Sequence, residues 1–165
     1  MKNKIVTLLI IIFVLVTSSI LMGFKFSSEN VNVQYIKTNW VSGTNRTTIV
    51  ISSIEELRNY VETNIEKYGL ERKTTFYSDT TKGFEDAIEK YDEEYFRNNN
   101  LVLVLLEESS GSIRHNLEKF DINNNIIEIS IVKKIPDICT CDMAGWHIII
   151  EVNKINITEI NVNVE

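Results

Sequence analysis

Leu101-Val102-Leu103-Val104-Leu105-Leu106 is the stretch on which the fold of this 165-residue chain turns. Six uninterrupted apolar residues are too few for an ordinary helix and lack the alternation of a strand with one wet face. They predict a central strand covered on both faces. Asn98, Asn99 and Asn100 precede it and close a segment in which Phe84, Ala87, Ile88, Tyr91 and Tyr95 recur at intervals of three and four, so residues 82–97 read as an acid-rich amphipathic helix. Further upstream, Ser52-Ser53-Ile54-Glu55 has the spacing of a capping box. Ile54, Leu57, Tyr60, Val61 and Ile65 follow at helical intervals until Gly69 offers a stop. Leu70 to Thr81 has no clean period and is left open as a loop or irregular strand. Val31 to Tyr35 alternates and Thr47 to Ile51 is rich in β-branched residues, so both predict strands.

On the other side of the central stretch the pattern is strand only. Ser112 to Ile122 and Ile126 to Lys133 flank Asn123-Asn124-Asn125 and predict a hairpin. Pro136, the sole proline, marks a break. Trp146 to Val152 is another near-continuous apolar run. Ile155 to Val164 closes the chain and alternates from Ile160, which leaves one of its faces wet. The sum is an α+β domain: a largely antiparallel sheet of about seven strands with two helices packed on one face, preceded by one N-terminal hydrophobic helix.

Composition narrows the function classes. The chain is 44% hydrophobic and 24% charged, which suits a single globular domain and excludes disordered and fibrous classes. Lys2, Lys4 and Lys25 precede the first acidic residue, leaving 14 bases against 23 acids in residues 27–165. A domain so acidic repels phosphate backbones, so no nucleic-acid partner is expected.

Ile5 to Phe24 run without a charge behind two lysines. Twenty residues of helix rise about 30 Å, the thickness of a hydrocarbon core. The segment 1–24 therefore reads as a signal anchor or a cleaved signal peptide, residues 25–31 as a tether, and residues 32–165 as one extracytoplasmic domain. The leading lysines favour a cytoplasmic N-terminus. The expected location is the cell membrane, single-pass with an outward C-terminal domain, or the exterior if the segment is removed. The first cysteine is Cys139, so a lipoprotein-type lipid anchor has no residue to carry it.

Few residues invite chemistry. Cys139 and Cys141, at i and i+2, would hold their Cα atoms about 6.6–6.8 Å apart in an extended strand, at the limit for a disulfide. Buried thiols, a strained and easily reduced bond, a redox-active pair and a metal site with His147 and either Asp142 or His115 are the competing readings. His147 and Glu151 share a strand face but lie about 13 Å apart, too far for an acid–base pair. His115 sits with Ile113 and Leu117 and reads as a histidine at the edge of a core. Ser109-Ser110-Gly111-Ser112 lacks the pattern and the following helix of a nucleophile elbow and reads as a loop. The acidic run Glu85 to Glu94 lacks the alternate carboxylates of a calcium loop and reads as a solvated face.

The order of Ser52-Ser53-Ile54-Glu55-Glu56-Leu57, Tyr91-Asp92-Glu93-Glu94-Tyr95-Phe96, Leu101-Val102-Leu103-Val104, Ser110-Gly111-Ser112 and Trp146-His147-Ile148-Ile149-Ile150-Glu151-Val152 resembles the C-terminal domain of the PrcB family of protease-complex subunits and related exported proteins of anaerobic bacteria. The resemblance covers about two thirds of the chain and consists of scaffold motifs. It implies a non-catalytic role in assembling or anchoring a protein partner at the cell envelope; no cofactor is expected. The contact surface expected from the loops comprises Ser110, Gly111, Ser112, Asp142 and Met143. The alternative is an extracytoplasmic thiol redox or metal-binding protein using Cys139, Cys141 and His147.

Overall fold

The computed structural model describes residues 31–44, 46–71 and 83–165. The apolar run Ile5–Phe24 and most of the stretch left open after Leu70 lie outside them. Among the described residues no helix is long and apolar enough to cross a membrane.

Among the described residues seven strands and three helices follow in the order β1 (Val33–Thr38), β2 (Thr47–Ile51), α1 (Ile54–Tyr68), α2 (Phe84–Ile88), α3 (Glu93–Asn98), β3 (Asn99–Glu108), β4 (Arg114–Asn123), β5 (Ile126–Lys134), β6 (Ala144–Asn153) and β7 (Glu159–Val164). The chain is α+β, but its strands form two sheets rather than one. An antiparallel four-stranded sheet has the order β1-β6-β3-β2, and a three-stranded sheet has the order β4-β5-β7. Within the second sheet β5 pairs antiparallel with β4 and parallel with β7.

The division follows from the central strands. Leu101 to Leu106 of β3 and Trp146 to Ile150 of β6 are buried throughout, so both faces of the first sheet must be covered. The helices cover one face. Leu101, Leu103, Leu105 and Ile149 pack there against Leu57, Tyr60, Phe84 and Phe96. The β4–β5 hairpin and β7 cover the other, where Val102, Val104, Ile148 and Ile150 meet Phe120, Ile127, Ile129 and Ile131. Burying one leucine or isoleucine side chain contributes about 1.5–3 kcal/mol, so each interface is a substantial core in its own right. The predicted wet face of the last strand is seen in β7, whose residues alternate between exposed and half-buried.

Local chemistry sets the helix ends. The α1 cap is Ser53, whose side chain accepts from Glu56 N at 3.1 Å, while the Glu56 carboxylate accepts from Ser52 N. The cap is therefore one residue later than the Ser52–Glu55 spacing suggested, and the Glu56 carboxylate reaches back past it to the Ser52 N–H, so the reciprocal box is not closed on the cap residue itself. Gly69 ends α1 at φ 58°, a conformation an L side chain adopts only with strain. The segment expected as one helix over 82–97 is two. Asp92 adopts an extended backbone, and its carboxylate accepts from Tyr95 N at 2.8 Å, so it starts α3 rather than continuing α2.

Candidate functional site

The turn between β3 and β4 and the loop between β5 and β6 meet at one end of the molecule. Gly111 N donates to the Asp142 backbone carbonyl at 2.7 Å and to its Oδ1 at 3.2 Å. Lys37 Nζ, from β1, donates to Asp142 Oδ2 at 3.1 Å and to Gly111 O at 3.2 Å. Gly111 is a glycine for steric reasons: a Cβ there would come within 2.1 Å of Asp142 Oδ2 and 2.2 Å of Lys37 Nζ. Thr140 completes the fastening. Its N–H donates to Ser112 Oγ at 3.2 Å, and its hydroxyl lies 3.0 Å from Ser110 Oγ. Hydrogen bonding from Thr140, then the Lys37 ammonium, holds the Asp142 carboxyl at about 2, below the usual range.

Ser110, Gly111, Ser112 and Asp142, expected as a contact surface from loop position alone, are gathered into one hydrogen-bonded cluster in which Ser110 and Gly111 are buried, so only Ser112 and Asp142 of the four reach solvent. Met143 adjoins it through the chain and is 56% exposed. Beyond the fastening the β5–β6 loop stands in solvent, with Ile138 87% and Ile135 66% exposed. Cys139 and Cys141 are free and exposed on the same loop, so the buried-thiol and disulfide readings do not describe this conformation.

The histidines lie apart from this loop, in separate layers. His147 points into the helix-covered core. Its Nδ1 is 3.0 Å from Thr38 Oγ1 and its Nε2 2.7 Å from the Tyr60 hydroxyl, with the rings of Tyr60, Tyr68 and Phe84 edge-on around it. Both ring nitrogens are occupied, which leaves neither for a metal or a thiol. Burial lowers its pKa to about 4, so the ring is neutral at pH 7. Among the described residues no group of three or more histidine, cysteine or carboxylate side chains is arranged to hold a metal.

His115 lies between the two sheets. Its Nε2 is 2.9 Å from Glu108 Oε1, and Lys133 Nζ is 2.9 Å from the same oxygen. The Glu108 and His115 side chains are almost fully enclosed. Burial lowers the His115 pKa, with Glu108 opposing the shift. This pair is an acid–base couple by geometry, but it is sealed from solvent. Its seven-residue separation across a turn was the one available sequence signal for it. Glu151 makes a third polar cluster, accepting from Tyr91 Oη at 3.0 Å, Asn32 Nδ2 at 2.7 Å and the Lys90 ammonium. Burial, then the nearby Glu151 charge, raises the Tyr91 pKa well above its usual value, so Tyr91 stays a donor.

No family model, no curated protein and no solved structure matches this chain. Its function therefore rests on its own geometry.

Proposed function

We propose that this chain is a non-enzymatic cell-envelope protein whose β5–β6 loop docks a protein partner, in keeping with the resemblance to subunits that support a surface protease complex. One observation carries the reading: three large apolar side chains, Ile135, Ile138 and Met143, stand in water on a loop whose return limb is fastened by Asp142 and Thr140 to the Ser110–Ser112 turn. Exposed apolar side chains that cost solubility and are held in place, rimmed by polar groups, mark contact surfaces. A protein partner fits better than lipid. The proposed N-terminal anchor leads into β1 at Val33, whereas the loop lies beside Thr38 and Gly145, the other end of a six-residue strand. At about 3.3 Å per residue that end is about 17–20 Å from the entry point.

The test is co-purification of the full chain from solubilised membranes, comparing the native protein with an Ile138→Asp, Met143→Asp double variant. Both positions are exposed, so the substitutions leave stability within about 0.5 kcal/mol. A partner recovered with the native chain and lost with the variant is the expected result. Equal recovery with both, or turnover of a substrate by the purified chain, overturns the reading.

A second reading draws on the two exposed thiols. Cys139 and Cys141 are open to oxidants and to exchange, and in an oxidising compartment they would serve as a labile redox pair. Alkylation and mass measurement before and after reduction decide it: a two-dalton difference supports the pair, whereas two thiols that stay free under oxidising buffer exclude it.

A further inference from the structure

Among the described residues four strands lie at sheet edges, and three of them carry protection against pairing with another chain. In β1, Lys37 is engaged with Asp142, and Gln34 Nε2 reaches across to Ala87 O at the end of α2. The register of β4 is broken by a bulge between Leu117 and Lys119, and the strand carries Arg114, Glu118, Lys119 and Asp121. In β7, Glu159, Asn161 and Asn163 are exposed.

The fourth, β2, has none of these devices. Thr47-Thr48-Ile49-Val50-Ile51 contains no charge and no proline, and its pairing with β3 runs without a shift. Thr47 N donates to Thr44 O at 3.2 Å, and among the described residues no other element hydrogen-bonds the outer edge beyond it. A cavity of about 260 Å³ runs beside it, lined by Ile49, Val50 and Ile51 on one side and by Asn59, Tyr60 and Thr63 of α1 on the other.

We propose that β2 is a dimerisation edge, pairing antiparallel with β2 of a second copy to give one continuous eight-stranded sheet. The segment is matched to itself. With the two-fold axis at Ile49, Thr47 faces Ile51 and Thr48 faces Val50, so β-branched residues oppose one another throughout. Charge selects a second copy over an arbitrary strand. One residue beyond the strand, Arg46 falls opposite Ser52 of the other copy, whose N–H is held by the Glu56 carboxylate at 2.6 Å. Lys154 Nζ donates to the Ser52 carbonyl at the same corner, so the Glu56 carboxylate is the acidic partner there, and the two-fold repeats the Arg46–Glu56 match at both ends. This contact is separate from the loop that docks a partner.

The experiment weighs the full chain in a neutral detergent by light scattering and follows amide hydrogen exchange at Thr47 to Ile51. Arg46→Glu and Glu56→Arg are made singly and together; both side chains are exposed. The native chain is expected as two copies per particle, with β2 amides that become protected as concentration rises. Each single substitution sets like charges together at both ends and weakens the dimer about tenfold or more, while the double variant restores it. One copy per particle, concentration-independent exchange at β2, or a dimer indifferent to the single substitutions overturns the proposal. The last result assigns association to the N-terminal apolar run instead.

Discussion

Two neighbouring residues of β6 point to opposite faces of the central sheet and into differently built interiors. His147 enters the helix-covered core, where two hydroxyl groups satisfy both its nitrogens and three aromatic rings enclose it. Trp146 enters the layer between the sheets and meets His115 edge-on at 5.2 Å, beside the Glu108 carboxylate and the Lys133 ammonium. There His115 Nδ1 and Trp146 Nε1 have no hydrogen-bond partner. The helix side thus buries its polar group neutral and fully bonded, whereas the sheet side relies on a buried charge and leaves one donor, Trp146 Nε1, and one ring nitrogen, His115 Nδ1, without partners. A neutral network loses little when one member goes; an ionic one strands a charge.

The comparison can be broken in order of expected effect. Glu108→Ala leaves Lys133 and His115 without their shared acceptor, and unfolding in denaturant should show a loss of about 3–5 kcal/mol. A loss under 1 kcal/mol would mean that the charge on the sheet side contributes little. The second effect is pH dependence. His147 binds no proton in the folded chain until about pH 4, while the unfolded chain takes one up near 6.5, so stability falls as pH drops through that window. The loss reaches about 3 kcal/mol at pH 4, and His115, shifted the same way, adds to it. Urea melts from pH 7 to 4 measure it, and His147→Gln should flatten most of the slope. Smallest is Tyr60→Phe, which removes one hydroxyl from His147 Nε2 and costs about 1–2 kcal/mol. A cost equal to that of Glu108→Ala would erase the distinction between the two interiors.

Much of the architecture was legible in the residues that repeat a period. The unbroken run at Leu101 demanded cover on both faces, and the helix starting near Ser53 carried its cap, its stripe and its terminal glycine in sequence. Apolar runs bounded by turn residues, with alternation only from Ile160, identified the last four strands as strands but not their partners. A strand's pattern records which face is buried and not against what, so the second sheet and the parallel β5–β7 pair could not be read. The split at Asp92 was readable in principle, as a capping residue with Glu93 and Glu94 behind it, but the stripe of apolar residues continued through it and masked the break. Loop position sufficed to name Ser110, Gly111, Ser112 and Asp142. Their mutual contact depends on two connections 31 residues apart arriving at the same sheet end. The partners of His147 come from β1 and α1, 109 and 87 residues upstream, distances over which no local pattern reports.

The placement of β1 beside β6 has a consequence for how the protein is made. The first strand to emerge finds its neighbour only when residues 145–150 exist, and β7 must then return to β5. Closure of so long a loop is slow relative to local helix formation. A nascent chain of this kind leaves both sheets incomplete until β6 and β7 have been made, so its two cores lock late and together.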